Sequence, residues 1–562
     1  MILDPPGMLF LPHNCYNMRI ALSQQNYHIG NFDGNLALMT KAVNEAKSQG
    51  ADLICFSELA SCGYPPRDFL EFKDFIRRSM AVVNELCKMS HGIAIVVGAP
   101  TVNPEIEGKD LHNSVFFLVE GKVRQIAHKT LLPTYDIFDE YRYFEPSHKF
   151  QTVEFKGKKI ALTICEDIWN LGNENPLYKV CPLDEMMDQR PDFILNLSAS
   201  PFSFDHAKDR LEVIRANVLR YKIPMFYTNC YGGQTDILFD GGSVVMSPDG
   251  NCFDEMPFFE ECLRIYSLEE VVKGGQIQEQ KKDKFDLIYQ ALVLGIRDYF
   301  EKMGFKKAIL GLSGGIDSAL TAVLAADALG PKNVTGLLMP SHYSSEGSVA
   351  DAKDLADNLG IHHEIIAIKE VYDRYLEVLN PWFKDMPHNV TEENIQARIR
   401  GMLLMAFSNK FSHILLNTTN KSEMSVGYGT LYGDLCGGLA VLADVYKTEV
   451  YQLAHFINRN GIRIPLNSIQ KAPSAELRPG QKDSDSLPEY AVLDPILFQY
   501  IEQRKGPEEI IAMGFDREVV LKSLKMVNRA EFKRHQSAPV LRVSNKAFGH
   551  GRRLPIEGNY LC

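Results

Sequence analysis

Three side chains in the first half of the chain have the types needed for nucleophilic catalysis. Cys165 ends the apolar run Ile160-Ala-Leu-Thr-Ile164 and is followed by Glu166-Asp167. Glu58 follows Leu53-Ile-Cys-Phe56, and Lys129 closes His128-Lys129 ahead of Thr-Leu-Leu-Pro-Thr-Tyr135. A cysteine attacks as its thiolate, which a nearby cation favours. A carboxylate can take the thiol proton and later activate water, and an ammonium can hold the oxyanion of a tetrahedral intermediate. Taken singly, a strand-end Glu or Lys is commonly solvated and a Cys after an apolar run is commonly a core residue. As a set they make chemical sense.

The second half contains Gly311-Leu312-Ser313-Gly314-Gly315-Ile316-Asp317-Ser318, between the apolar run Lys307-Ala-Ile-Leu310 and Ala319-Leu-Thr-Ala-Val-Leu-Ala-Ala-Asp-Ala-Leu329. That order predicts a strand, a glycine turn and a helix closed by Gly330. Adjacent glycines let the backbone approach a ligand, and a helix N-terminus offers free N–H groups to an anion. Asp317 could hold Mg²⁺ against phosphates. No Lys follows the glycines, so this is not a Gly-Lys-Ser/Thr loop.

Three further clusters could face the same ligand. Asn394 and Arg398, in Glu393-Asn394-Ile-Gln-Ala-Arg398, lie four apart on one helical face, and Arg suits phosphate through its bidentate fork. Asn417-Thr418-Thr-Asn-Lys-Ser-Glu423, with Tyr428 and Gly433-Asp434 beyond, offers a hydroxyl and carboxylates for nucleotide and Mg²⁺. Lys447, in Asp444-Val-Tyr-Lys447-Thr448, could neutralise phosphate. The polar stretch from Ala472 to Tyr490 reads equally as a mobile lid or a plain loop.

The positioning elements follow from periodicity. Leu53–Phe56, Ile93–Val97, Ser114–Val119, Lys159–Ile164, Phe193–Leu197 and Met225–Asn229 read as strands, and Asn35–Ser48 as a helix with Leu36, Met39, Val43 and Ala46 on one face. Alternating strands and helices imply an α/β layered domain from Met18 to about Ile265. The polar segment 267–284 reads as a join, and the α/β pattern resumes from Phe285 with strands at Val334–Leu338 and Ile414–Leu416. A doubly wound parallel sheet there would place its ligand at the carboxyl ends of the strands. Residues 1–17 read as an extension without assigned function; their apolar patch Met8-Leu-Phe-Leu11 is too short for a signal peptide.

The chain has 562 residues and a formal charge of −11, which argues against a broad nucleic-acid surface. No apolar run reaches the roughly 18 residues of a membrane helix. Its 11 cysteines form no Cys-x-x-Cys pair, which fits a reduced, cytoplasmic setting better than disulfides or structural zinc.

The Glu–Lys–Cys order, with Phe56-Ser-Glu58-Leu, Lys129-Thr-Leu-Leu-Pro-Thr-Tyr135, Phe138-Asp-Glu140-x-Arg-Tyr-Phe144 and Ile164-Cys165-Glu166-Asp167, resembles the glutaminase branch of the nitrilase superfamily. That resemblance implies an αββα sandwich that breaks C–N bonds through a thioester. It makes Glu58 the base, Lys129 the oxyanion stabiliser, Cys165 the nucleophile and Glu140 a second glutamate of the site. Tyr64, Tyr135, Glu166 and Ser200 match glutamine-holding positions, and His206 stands where the family has a basic residue, with Lys208 nearby. From Phe285 to about Arg542 the motifs Glu-Asn-Ile-Gln-Ala-Arg, Thr-Asn-Lys-Ser-Glu and Asp-Ser-Leu-Pro-x-Tyr look like the NAD⁺ synthetase family, an adenine nucleotide alpha hydrolase-like fold. This implies that ATP contacts the loop from Gly311 to Ser318, with Arg398, Thr418 and Lys447. It also implies Mg²⁺ on Asp317 and Glu423, and deamido-NAD⁺ near Asn394, Glu423, Tyr428, Asp434 and Lys533. Leu431 replaces the Lys of ammonia-using relatives. A nitrilase-like glutaminase at 18–266 joined through 267–284 to a synthetase at 285–562 is the arrangement of the glutamine-dependent NAD⁺ synthetases. The implied activity is ATP-dependent amidation of deamido-NAD⁺ by ammonia from L-glutamine, in a homo-oligomer formed through the synthetase domain, with no nucleic-acid or membrane partner. An RNA-modifying enzyme with the same loop, or another ATP-activated acceptor, is the competing expectation.

Overall fold

The computed structural model describes residues 17–175, 177–275, 283–384 and 386–561. The strands of the first half are β1 (Arg19–Gln24), β2 (Leu53–Cys55), β3 (Ala94–Val102), β4 (Leu111–Val119), β5 (Lys122–His128), β6 (Val153–Phe155) and β7 (Lys158–Ile164). They continue with β8 (Phe193–Ser198), β9 (Met225–Asn229), β10 (Tyr231–Gln234), β11 (Ile237–Asp240), β12 (Val244–Met246), β13 (Cys252–Glu255) and β14 (Cys262–Ser267). Two six-stranded sheets form, ordered β14-β1-β2-β3-β4-β5 and β13-β12-β9-β8-β7-β6.

Period-two side-chain alternation builds the layers. Ile20, Leu22, Leu53, Val96 and Phe117 of one sheet meet Ile160, Leu162, Leu195 and Phe226 of the other. The alternate residues Ala21, Ile54, Ile95 and Phe116 pack on Met39 and Val43 of the helix Phe32–Ser48 and on Val82 and Leu86 of the helix Lys73–Met89. On the far side Ile194 and Met225 pack on Ile214 and Val218 of the helix His206–Tyr221. The result is an αββα sandwich, as the family resemblance implied; the strand pattern alone implied an α/β layered domain.

The second half contains one five-stranded sheet of β15 (Lys307–Gly311), β16 (Val334–Leu338), β17 (His362–Ile365), β18 (His413–Asn417) and β19 (Leu439–Ala440). Its order is β17-β16-β15-β18-β19, with every neighbouring pair parallel. The order reverses between β15 and β18, so the ligand crevice of a doubly wound sheet falls at their carboxyl ends. Gly311 to Ser318 lies there, and the helix Ile316–Leu329 that follows is almost wholly buried.

Part of the polar join, 276–282, and residues 1–16 lie outside the described residues. The start of the join differs from the sequence reading. Ser267 ends β14, and Leu268–Lys273 is a helix whose Leu268 and Val271 are buried in the core of the sandwich. Two apolar residues three apart suffice to bury one face of so short a helix. The units meet where Asp298, on the helix Lys284–Met303, accepts hydrogen bonds from Asn26 Nδ2 and Gly233 N–H, both at 2.7 Å. Among the described residues no helix is long and apolar enough to cross a membrane.

Candidate active sites

In the sandwich, Lys129 just past β5 places Nζ 2.7 Å from Glu58 Oε1 and 2.9 Å from the Glu140 carboxylate. All three side chains are buried, and Tyr64 OH donates to Glu140 Oε1 at 2.8 Å. Burial alone would discharge Lys129, but Glu140 and Glu58 hold its pKa well above the ordinary value. Burial pushes Glu140 up against the opposing pull of Lys129. The cluster is a fixed ammonium flanked by two carboxylates in a low-dielectric pocket.

Cys165 follows β7 as the first residue of a 3₁₀ turn, Cys165–Ile168, with φ of +43°. Its thiol is held well above the ordinary range, by burial first and then by Glu58, while Lys129 pulls the other way. A thiol so placed keeps its proton at rest, and Glu58 is the charged group that acts most strongly on it. Asp167 braces the strand ends that carry Lys129 and Cys165. Its Oδ1 accepts from Thr130 N–H (3.0 Å) and Leu131 N–H (2.9 Å), its Oδ2 from Ile164 N–H (3.0 Å).

The other expected residues of this site form two pairs. Tyr135 OH donates to Glu166 Oε1 at 3.0 Å, and Tyr178, which the sequence reading did not single out, donates to the same oxygen at 2.6 Å. Ser200 Oγ lies 2.9 Å from His206 Nε2, and the imidazole stacks on Trp169 with centroids 5.5 Å apart. Burial pushes His206 down to about 4. It is therefore a neutral polar partner and not a cation. A cavity of about 220 Å³ adjoins the cluster, lined by Tyr64 and Glu140 and, from the C-terminal segment, by His550 and Arg553.

The crevice of the second sheet is a cavity of about 480 Å³. Gly311, Leu312, Ser313, Gly315, Ile316, Asp317 and Ser318 line it, with Thr418 and Lys447. Asn394, Glu423, Tyr428, Asp434 and Lys533 line it as well. The hydroxyls fold the loop: Gly315 N–H donates to Ser313 Oγ at 3.1 Å, and Ser318 Oγ donates to Gly315 O at 3.0 Å. Two expected residues stand elsewhere. Gly314 is not among the lining residues; its φ is +77° and a Cβ there would lie 2.2 Å from the Ser348 carbonyl oxygen, so it shapes the loop by close approach. Arg398 is exposed and donates from Nε to Leu431 O at 3.3 Å. Arg400, two residues on, lines the cavity instead, donating from Nε to Met339 O at 3.1 Å. Burial pushes its guanidinium down to about 10.

Asp317 forms an ion pair with Lys447 and accepts from Asn420 Nδ2 at 3.0 Å; Glu423 lies 3.9 Å from the same ammonium. Burial, and then Asp317, push Glu423 well above the usual carboxylate range. Two crowded carboxylates of hard oxygen suit Mg²⁺, which takes one or two protein carboxylates and completes its shell with phosphate and water. Among the described residues no group of three or more His, Cys, Asp or Glu could enclose a metal. The donor set thus fits an ion held jointly with a nucleotide.

A nitrilase-type amide hydrolase joined to a pyrophosphate-loop nucleotide unit is the class this fold and these sites define. A carbon–nitrogen hydrolase family model matches residues 19–273 and an NAD synthase model residues 288–537. The glutamine-dependent NAD(+) synthetase of Synechocystis sp. is 46% identical over 550 residues, covering 96% of this chain and 98% of that protein. The protein of that name from Thermotoga maritima is 39% identical over 97% of this chain and 99% of its own length. A solved structure of glutamine-dependent NAD⁺ synthetase from Acinetobacter baumannii, in complex with ADP, is 39% identical with a TM-score of 0.77, covering 96% of this chain and 98% of its own. The chain belongs to the glutamine-dependent NAD(+) synthetase family.

Proposed function

We infer that the protein makes NAD⁺ from deamido-NAD⁺, ATP and L-glutamine, releasing AMP, pyrophosphate and glutamate. The observation that carries this reading is the buried Glu58–Lys129–Glu140 cluster beside Cys165, on one chain with a phosphate-binding loop at a sheet switch point. In the first unit Glu58 takes the Cys165 proton as Sγ adds to the glutamine amide carbon. Lys129 Nζ faces the developing oxyanion, and a positive charge already fixed there stabilises it without reorganisation. Glu58 gives its proton to the departing ammonia and then activates the water that hydrolyses the thioester. Tyr135, Glu166, Ser200 and His206 orient the glutamine.

In the second unit the loop from Ser313 to Ser318 and Lys447 hold the ATP phosphates, while Asn394, Tyr428, Asp434 and Lys533 orient the deamido-NAD⁺ carboxylate towards the α-phosphorus. Arg400 takes the place in the cavity first expected for Arg398. Asp317 and Glu423 would hold Mg²⁺, which supplies charge neutralisation on the departing pyrophosphate. Ammonia then displaces AMP from the adenylate. Neutral ammonia must reach it before water protonates it, so transfer inside the protein is favoured.

The proposed division is a glutaminase at 18–266, a join at 267–284 and a synthetase at 285–562, with the helix Leu268–Lys273 packed on the glutaminase. A homo-oligomer through the synthetase is supported by exposed Tyr375, Val378, Trp382 and Met402 on two of its helices. A reducing, cytoplasmic setting suits the unpaired thiol of Cys165. The test is NAD⁺ formation from deamido-NAD⁺ and ATP, with glutamine or with ammonium chloride, for the parent and Cys165→Ala. The variant should lose the glutamine reaction and keep the ammonia one. Failure of the parent with both nitrogen sources overturns the synthetase reading.

A further inference from the structure

The geometry points to Asn113 as a positioning residue that sets which oxygen of Glu58 acts as the base. The inference rests on the glutaminase reading of the first unit.

Asn113 lies on β4 and is buried. Its Nδ2 donates to Glu58 Oε1 at 2.7 Å, the same oxygen that accepts from Lys129 Nζ at 2.7 Å. Its backbone carbonyl accepts the N–H of Lys129 at 2.8 Å. One residue therefore holds the base through its side chain and the root of the catalytic ammonium through its main chain. Glu58 Oε2 accepts from Ala199 N–H at 3.1 Å.

Two donors on Oε1, one of them charged, withdraw its basicity; Oε2 has the weaker donor and keeps the stronger lone pair. The Sγ–H bond of Cys165 breaks with its proton passing to Oε2, while the sulfur lone pair forms the bond to the amide carbon. Without Asn113 the carboxylate is free to turn about its terminal torsion, which has a broad, two-fold preference.

Asn113 Oδ1 is buried with no partner among the described residues. A residue kept for packing would be served better by an apolar side chain of similar volume, which leaves no orphan acceptor. Turning the amide over would set Oδ1 against a carboxylate oxygen, so charge fixes its orientation.

The experiment uses the full chain carrying Asn113→Leu, a near-isostere without a donor, and Asn113→Ser, whose hydroxyl is too short to reach Glu58. The kcat and KM of glutamine-dependent and ammonia-dependent NAD⁺ formation are measured, with the alkylation rate of Cys165 by iodoacetamide. Losing one hydrogen bond to a charged group should lower kcat with glutamine by about 10- to 100-fold, with KM little changed. Alkylation should slow in parallel, and the ammonia reaction should stay at the parent rate. If Asn113→Leu also loses the ammonia reaction, Asn113→Ser decides. An unchanged kcat and alkylation rate in a folded variant, with only the thermal midpoint lowered, overturns the proposal. A parent that uses ammonia but not glutamine overturns the glutaminase reading itself, a result distinct from either.

Discussion

The ammonium of Lys546 lies 2.8 Å from the carboxylate of Asp136, joining the last segment of the synthetase unit to the glutaminase loop that carries Tyr135 and Glu140. Arg542 pairs with the same carboxylate. The same segment is tied to the start of the helix Lys421–Val426, which carries Glu423, since Lys421 donates to Ser544 Oγ (2.7 Å) and Lys546 O (3.0 Å). Asp136 itself has φ of +54°, a conformation that the two cations help to hold. Asp136→Ala leaves both without their shared partner, at a cost of about 1–3 kcal/mol for the lost charged hydrogen bonds. The expected outcome is a lower thermal midpoint and a fall in glutamine-dependent NAD⁺ synthesis that exceeds any fall in the ammonia-dependent reaction. Equal losses in the two assays would show that the segment only stabilises the fold.

Gly314→Ala tests the nucleotide loop. The substitution puts a Cβ at φ +77° and 2.2 Å from a backbone oxygen of Ser348, so the loop must move. Displacing phosphate-positioning groups by about 1 Å costs about 100-fold in rate. Ammonia-dependent synthesis should fall by at least that factor, while iodoacetamide still alkylates Cys165 at the parent rate. Retention of half the parent activity would mean that the loop does not hold the phosphates.

The two arginines of the helix Val390–Phe411 separate the sequence reading from the structural one. Arg400→Met removes a guanidinium from the cavity and should raise KM for the nucleotide substrates by about 10-fold or more, the worth of a charged hydrogen bond. Arg398→Met removes an exposed side chain and should change KM by no more than about 2-fold, as surface substitutions do. Steady-state kinetics with ammonia as nitrogen source makes the comparison, and the reverse ranking would sink the assignment.

This pair shows what periodicity alone could reach. The loop from Ser313 to Ser318 is legible because its residues are contiguous and its flanks are plainly strand and helix. The layered α/β order of the first half is legible from its alternating strand and helix runs. The split of Ile20 and Leu22 into one core and Ile54 and Ile95 into another is set by the pairing of two sheets, which the family resemblance implied and the runs do not report. Arg398 and Arg400 are two positions apart, so they point to nearly opposite faces of a helix. That helix carries apolar residues around most of its circumference, from Ile395 to Met402 and Met405, which leaves the ligand face unmarked. Asn113 carries no local mark, because its side chain meets a partner 55 residues away in the sequence. His206 could be placed by its spacing from Ser200, whereas its neutral state depends on burial against Trp169, which no local pattern reports.

Asp167 gives the pH prediction. Burial pushes its carboxyl up to about 6, although the N–H groups of Leu131, Ile164 and Thr130 oppose the rise. In the unfolded chain it titrates near the ordinary 3.8. Between these values the native state keeps a proton that the unfolded state has lost, so stability falls as pH rises from about 4 to about 6 and is level above that. At 1.36 kcal/mol per unit the drop is about 3 kcal/mol. Asp167→Asn removes the titration but has one oxygen for three N–H groups, so either the Lys129 strand end or the Cys165 strand end loses its brace. The variant should therefore lose glutamine-dependent synthesis by about 10-fold or more and keep the ammonia reaction. Its thermal midpoint should lie below that of the parent by a gap that narrows from pH 4 to pH 6. A gap constant across that window would show that Asp167 stays ionised in the fold, and its three backbone hydrogen bonds would then outweigh the cost of burying the charge.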